Sequence, residues 1–163
     1  MATGYVVMAV EGVLVESQDL KTGLPSQAGH MLYDNLLAGY SIVLVTHHER
    51  ELVDTWVRKE GIRNFATLLS YAESNQVLTL SEWKAYQVRQ FLQDGTPVSW
   101  FVDTDPTAIE AVFMEGVPTM MLSSPHYTRP EFRPDATHRV RPWNELVTTI
   151  ESDRMLKVAK EST

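Results

Sequence analysis

Five polar side chains lie near the ends of predicted strands or the start of a predicted helix, where proteins with alternating strands and helices usually carry their functional residues. Glu11, Thr46, Asp103 and Asp105 come at or just after the ends of apolar runs, and Lys84 lies near the start of a predicted helix. Ligands of parallel-sheet proteins bind at the carboxyl ends of the strands. Because a cation is disfavoured at a helix N-terminus, Lys84 is expected to pair with a nearby acid or to face an anionic ligand.

The first apolar run places a residue without reactive chemistry where a nucleophile would be expected. The run starts at Tyr5 and stops abruptly at Glu11 and Gly12, which predicts a buried strand that turns into a loop at the sheet edge. The position best placed for a nucleophile is Ala9. Its methyl group cannot attack a substrate, so covalent catalysis is not expected from this strand.

The elements that must position these residues follow from the periodicity of the apolar side chains. Buried strands are predicted to begin at residue 5 and to cover 41–45, 98–102 and 117–122. Helices are predicted over 27–38, 49–60, 81–93, about 108–116 and 143–152, with Ser81 as the N-cap of the third. Residues 15–26 are predicted to be a loop, and residues 62–69 return toward the sheet. The alternation predicts an α/β domain over residues 1–152, with a mostly parallel sheet covered by helices on both faces, and a polar tail over 153–163.

Composition excludes several classes of function. The chain has no cysteine, which rules out disulfides and thiolate metal sites. A formal net charge of −7 argues against general nucleic-acid binding. No apolar run is long enough to span a membrane, and no basic segment precedes the first apolar run, so neither a membrane span nor a signal peptide is predicted and the protein is expected in the cytoplasm.

The order of the motifs resembles the haloacid dehalogenase-like (HAD) superfamily, over roughly residues 5–122. The run Ala9-Val-Glu-Gly-Val-Leu14 is similar to the first motif of that family, in which two aspartates flank one residue. The run Ile42-Val-Leu-Val-Thr46 is similar to the second motif, Lys84 to the lysine of the third, and Trp100-Phe-Val-Asp-Thr-Asp105 to the fourth. The resemblance implies a Rossmann-like, three-layer fold without a substantial cap domain. It also implies phosphatase chemistry through an aspartyl-phosphate and Mg²⁺. Compact chains of this kind also occur in bacteriophages.

The departures from the family pattern fall where the chemistry is done. Ala9 replaces the nucleophile and one metal ligand, and Glu11 replaces the acid that protonates the leaving group. The extra methylene of Glu11 moves its carboxyl group by about a bond length, and roughly 1 Å of misplacement can cost a hundredfold in rate. By resemblance, Thr46 and Lys84 would still bind a phosphate-type anion, and Asp103 with Asp105 would hold Mg²⁺ weakly.

Each of these residues also has a purely structural interpretation. Thr46, Asp103 or Asp105 would cap the helices that follow them, and Lys84 would be exposed or pair with Glu82. Two histidines, His47 and His48, follow Thr46 directly. Adjacent side chains on a turning backbone are expected to diverge, so no metal site is assigned to them.

Three functions remain open on the sequence alone. The first is a catalytically impaired HAD-like protein that binds a small phosphate-type anion or a protein partner. The second is a magnesium-dependent phosphatase acting on nucleotides or nucleic-acid ends by a non-covalent route, in which Glu11 or Asp103 activates a metal-bound water. The third is an interaction subunit, with homo-oligomerisation as one form of it, that uses segment 125–142. That segment contains two aromatic residues, Tyr127 and Phe132, and four arginines, Arg129, Arg133, Arg139 and Arg141. Aromatic and arginine side chains often anchor interfaces.

Overall fold

A computed structural model describes residues 4–17 and 19–122, together with Thr148 and Ser152. The chain separates into two compact units, residues 1–127 and 128–163. Almost all of the second unit lies outside the described residues, and so do the predicted interaction segment 125–142, most of the predicted helix 143–152 and the tail 153–163. The domain boundary at residue 152 therefore stays a prediction. Thr148 and Ser152 themselves are helical.

Five strands and four helices alternate along the described part of the first unit. In chain order they are β1 (Tyr5–Ala9), α1 (Gln27–Leu37), β2 (Ser41–Thr46), α2 (Arg50–Lys59), β3 (Thr67–Ser70), α3 (Leu80–Gln93), β4 (Val98–Asp103), α4 (Pro106–Phe113) and β5 (Thr119–Met121). The strands form one parallel sheet in the order β3-β2-β1-β4-β5. This confirms the predicted α/β, Rossmann-like architecture. The order reverses direction at β1. Since parallel crossovers are right-handed as a rule, the connections on the two sides of that strand are expected to place helices on opposite faces of the sheet.

The centre of the sheet is the core of the unit. Val6, Val7, Met8 and Ala9 of β1 are fully buried, as are the central residues of β2. Continuous burial explains why both strands read as unbroken apolar runs rather than as alternating ones. Among the described residues, no helix is long and apolar enough to cross a membrane.

The loop between β1 and α1 packs closely on the first turn of α1. Ser26 is the N-cap of α1, and its hydroxyl accepts a hydrogen bond from the Gly29 N–H at 3.1 Å. A Cβ atom at Gly29 would lie 1.6 Å from the carbonyl oxygen of Val13. Glycine therefore allows the helix to touch the loop main chain, which fixes the loop that carries Glu11. The described residues between β1 and α1 contain only isolated bridges and no helix, in agreement with the absence of a substantial cap.

One strand was not predicted, and one helix cap was predicted at the wrong residue. The return segment 62–69 leads into an additional edge strand, β3, which pairs with β2. Helix α3 is capped by Thr79 rather than by Ser81, because Thr79 and Glu82 form a capping box in which each side chain bonds the main chain of the other. Lys84 consequently lies in the second turn of α3 and not in the first.

Candidate functional site at the carboxyl edge

The carboxyl ends of β2, β1 and β4 are neighbours, and they bring the sequence-predicted residues to one edge of the sheet. Ala9 lies opposite Val45 in the β1–β2 pairing, and Met8 lies opposite Val102 in the β1–β4 pairing. Thr46 and Asp103 are the next residues of their strands. Ala9 is fully buried between them, so the position of the expected nucleophile carries no polar atom in its side chain.

Glu11 is turned toward the end of β2. The loop after β1 is held by hydrogen bonds from the Val10 N–H to the Val45 carbonyl, at 2.9 Å, and from the Gly12 N–H to the Val15 carbonyl, at 2.8 Å. Gly12 has a φ of +83°, a value that favours glycine. This turn buries Glu11 to 2% exposure. Its Oε1 atom accepts a hydrogen bond from the hydroxyl of Thr46.

His47 and His48 converge on the same carboxylate, and the expectation that their side chains diverge was wrong. The Nδ1 atom of His47 lies 3.7 Å from Glu11 Oε1, and the Nε2 atom of His48 lies 3.8 Å from it. The two ring centroids are 4.2 Å apart with an interplanar angle of 37°. Because His47 faces Glu11 with its Nδ1 atom and His48 with its Nε2 atom, two consecutive residues can both place a ring nitrogen near the same carboxylate oxygen. The signal in the sequence was the pair of imidazoles immediately after the strand end.

The main chain of His48 is held from both sides. Its N–H donates to the hydroxyl of Thr46 at 3.1 Å, and its carbonyl accepts from the hydroxyl of Ser70, at the end of β3, at 2.6 Å. Thr46 therefore uses its hydroxyl as a donor to Glu11 and as an acceptor from His48, as that group permits. The additional edge strand β3 thus helps to position the histidine turn.

Nearby, the carboxylate of Asp19 has a lowered pKa. The N–H of Lys21 is the main cause, followed by the hydroxyl of Thr22, and the charges of Lys21 and His48 make smaller contributions. His48 therefore lies within electrostatic range of a second carboxylate.

Lys84 pairs with Asp103 rather than with Glu82. The Nζ atom of Lys84 lies 2.6 Å from Asp103 Oδ2, and both side chains are buried. The other carboxylate oxygen of Asp103 accepts from the N–H groups of Thr104 and Asp105, at 2.7 and 3.1 Å. Glu82 is occupied in the helix cap, and its pKa is lowered by hydrogen bonds from the Thr79 N–H and then from the Thr79 hydroxyl.

Asp105 is the N-cap of α4. Its Oδ1 atom accepts from the Thr107 N–H at 3.0 Å, and its Oδ2 atom accepts from the hydroxyl of Ser81 at 3.1 Å. The structural interpretation made from the sequence thus describes Asp105 well. The hydroxyl of its neighbour Thr104 is buried and has no hydrogen-bond partner among the described residues.

The contacts of Asp103 and Asp105 do not favour Mg²⁺ between them in this arrangement. Mg²⁺ requires near-octahedral oxygen ligands. Lys84 occupies one oxygen of Asp103 and two N–H groups occupy the other, while Ala9 provides no carboxylate. An ion bound there would have to displace the ammonium group of Lys84.

The charge at this edge is negative. Glu11, Asp103 and Asp105 contribute three carboxylates, and Lys84 contributes one ammonium, which leaves two formal negative charges when the histidines are neutral. Thr46 is fully buried and Lys84 is 5% exposed. The His47 and His48 side chains are 27% and 23% exposed, so they are more accessible than Thr46 and Lys84.

Comparison with solved structures finds the same fold in a hydrolase and in a phosphatase domain. A hydrolase from Streptococcus pneumoniae TIGR4 aligns with a TM-score of 0.56 and 13% identity, over 77% of this chain and 95% of the other. The core domain of a putative phosphoglycolate phosphatase from the same organism aligns with a TM-score of 0.50 and 14% identity, over 93% and 97% of the two chains.

A chain of the Pnkp1/Rnl/Hen1 RNA repair complex aligns with a TM-score of 0.58 and 16% identity, over 73% of this chain. The match spans only 42% of that longer chain. No protein-family model matches the sequence, and no curated protein matches it. At these identities the likenesses establish the fold.

Proposed function

We propose that this chain, whose fold is of the HAD type that its motifs indicated, is a catalytically impaired member of that architecture which binds a small phosphate-type anion at the carboxyl edge of its sheet. The observation that carries this proposal is the buried methyl group of Ala9 at the end of β1. An aspartyl-phosphate cannot form on a side chain that has no oxygen.

Glu11 does not replace the missing nucleophile. Its Oε1 atom accepts from the hydroxyl of Thr46 and faces the imidazoles of His47 and His48. It is thereby held at the β2 side of the edge. The carboxylate of Asp103, on the other side of Ala9, is neutralised by Lys84.

The imidazoles of His47 and His48 are the groups that an anion would contact first, since their side chains are partly exposed whereas Thr46 and Lys84 are buried. Protonated imidazole donates two N–H groups to an acceptor such as phosphate. Binding by Lys84 itself would require the anion to compete with Asp103. The proposal therefore assigns the first contact to the histidines and retains Thr46 and Lys84 as deeper donors.

The test is phosphate release from a broad panel of phosphate esters with Mg²⁺ present. The wild-type chain should show no turnover above the Asp103→Asn variant. A double variant, Ala9→Asp with Glu11→Asp, should gain measurable turnover, because it restores both acids of the first motif. Wild-type turnover that Asp103→Asn abolishes would refute the impaired assignment. Binding is measured separately, by titrating inorganic phosphate into the wild type and into a His47→Gln, His48→Gln variant, and the double variant should bind more weakly.

A second candidate is a phosphatase that uses a metal-bound water and needs no aspartyl-phosphate. The convergence of Glu11, His47 and His48 favours it, because carboxylate and imidazole can together hold a catalytic divalent ion. The likeness to a chain of an RNA repair complex supports nucleic-acid ends as its substrate class. Release of phosphate from a 3′- or 5′-phosphorylated oligonucleotide, dependent on added metal and lost in Glu11→Gln, would favour this candidate over the first.

A further inference from the structure

Glu11, His47 and His48 form a cluster that we call the histidine–glutamate cluster. One ligand atom from each side chain lies within 4.8 Å of the other two. The two measured nitrogen-to-oxygen distances, 3.7 and 3.8 Å, are nearly equal. Three donors converge on one point from two neighbouring elements, the loop after β1 and the turn after β2.

These distances are close to those that a single ion imposes on its ligands. Tetrahedral Zn²⁺ binds imidazole nitrogen at about 2.0–2.1 Å and carboxylate oxygen at about 2.0–2.2 Å, which places neighbouring ligand atoms roughly 3.4 Å apart. On this estimate each nitrogen lies about 0.3–0.4 Å farther from the carboxylate oxygen than an ion would place it. All three ligand atoms lie within 4.8 Å of one another, so binding an ion would require them to draw together.

The burial of the Glu11 carboxylate is a second reason, besides the distances, to expect a cation at this cluster. Glu11 is 2% exposed, and an isolated buried carboxylate is strongly disfavoured. Within residues 4–17 and 19–122, its hydrogen bond from Thr46 is supplied by a neutral hydroxyl, and the groups of basic residues within 4 Å of it are the two imidazoles. The nearby ammonium of Lys84 is bonded to Asp103.

We propose that the histidine–glutamate cluster binds a borderline first-row divalent cation of the Zn²⁺ or Co²⁺ type, with solvent completing its coordination. Two imidazoles and one carboxylate suit these ions, whereas Mg²⁺ prefers an all-oxygen set. The site is separate in its ligands from the carboxylates of Asp103 and Asp105. Thr46 and Ser70 orient it, because the Thr46 hydroxyl bonds both Glu11 and the main chain of His48, and Ser70 bonds the His48 carbonyl.

The cation would also change how the edge meets anions. The two formal negative charges there oppose a phosphate, and one divalent ion cancels them. Phosphate-type ligands should therefore bind more tightly when the metal is present, a step that rests on the proposed anion-binding function. Metal binding itself does not depend on that function.

The metal site is tested by titrating Co²⁺ into the full chain, with any affinity tag removed, and following its visible absorption, and by displacing the Co²⁺ with Zn²⁺. One ion per chain should bind. Glu11→Gln, His47→Gln and His48→Gln should each weaken binding by about tenfold or more. The matched control is His30→Gln, which removes a histidine of α1 that is not a member of the cluster and should leave the affinity unchanged. Circular dichroism establishes that each variant is folded.

Two results would overturn the metal site. One is binding that the control variant abolishes and Glu11→Gln leaves unchanged, and the other is no saturable Co²⁺ spectrum in the folded wild type. Glycerol 2-phosphate is then titrated with and without bound Co²⁺. Tighter binding with Co²⁺ supports the added inference. Equal binding in both arms refutes metal dependence but retains the anion-binding function, and no binding in either arm refutes that function while leaving the metal site intact.

Discussion

Replacing Lys84 with methionine tests how strongly the buried ion pair holds this edge together. Lys84 and Asp103 are 5% and 1% exposed, and their charged atoms are 2.6 Å apart. At an effective dielectric constant of about 20, two charges at this separation attract by roughly 6 kcal/mol. Methionine keeps the volume of the lysine stem but leaves the carboxylate of Asp103 without its cation.

The net loss should be smaller than the Coulomb figure. Asp103 keeps two hydrogen bonds from the N–H groups of Thr104 and Asp105. In addition, the variant no longer has to bury a charged ammonium group, which stabilises its folded state and offsets part of the lost attraction. We therefore expect Lys84→Met to lower the free energy of unfolding by about 3–5 kcal/mol, the usual result of breaking a buried pair. Adding Asp103→Asn to it should cost less than the sum of the two single variants, because the second change removes the uncompensated charge.

The measurement is urea unfolding followed by tryptophan fluorescence and circular dichroism. The control is Arg58→Met, since Arg58 pairs with Asp54 at 2.7 Å while the side chains are 76% and 38% exposed. An exposed pair four residues apart on a helix contributes about 0.3–0.5 kcal/mol. If Lys84→Met and Arg58→Met destabilise the protein equally, or if the effects of Lys84→Met and Asp103→Asn are simply additive, the buried pair does not have the role assigned to it.

Three further predictions concern the elements around the site. Gly29→Ala should destabilise the fold by about 1–3 kcal/mol or more, because its Cβ would overlap a loop carbonyl, whereas Gly39→Ala, with open space at its Cβ, should be nearly neutral in the same thermal unfolding assay. Hydrogen bonds from Thr79 lower the pKa of Glu82 in the folded state. The wild type should therefore be more stable than Glu82→Gln at pH 7, which is above the unfolded pKa, and this advantage should be lost as the pH falls through the folded pKa. An advantage that is unchanged at pH 3 would contradict this prediction. Burial raises the pKa of Tyr33 from 10.0 to about 12, so its contribution is fully present below pH 10 and is lost as the pH rises toward 12, a decline in urea stability that Tyr33→Phe should remove.

The sheet was largely predictable because its central strands are buried on both faces. Such strands appear in a sequence as unbroken apolar runs, and the runs at Tyr5 and Ser41 are of this kind. The edge strand β3 has only four residues and a partly exposed pattern. It therefore resembled a connecting segment. The cap of α3 was misplaced because both Thr79 and Ser81 are good N-caps, and only the reciprocal partner Glu82, three residues after Thr79, distinguishes them.

The sequence predicted where the candidate site lies on the sheet, but it did not predict which side chains contact each other there. Parallel strand order alone brings the residues after β1, β2 and β4 to one edge. Partner choice depends on side-chain direction, which spacing does not give. The helix begins two residues earlier than its sequence indicated, which places Lys84 in the second turn, where it pairs with Asp103, while Glu82 is held in the cap by Thr79.

Ala9 and Glu11 together determine which side chains can interact at this edge. With Ala9 in place of a carboxylate, no acid on β1 competes for a cation beside Asp103, and Lys84 neutralises Asp103 alone. The longer side chain of Glu11 reaches the end of β2, where the ring nitrogens of His47 and His48 lie within 4 Å of its carboxylate. Glu11→Asp would shorten that reach by about one C–C bond, roughly 1.5 Å. The single change should therefore weaken Co²⁺ binding about as much as Glu11→Gln does, although it keeps the charge. Equal Co²⁺ affinity in Glu11→Asp and wild type would show that charge alone, rather than the position of the carboxylate at the end of β2, governs the cluster.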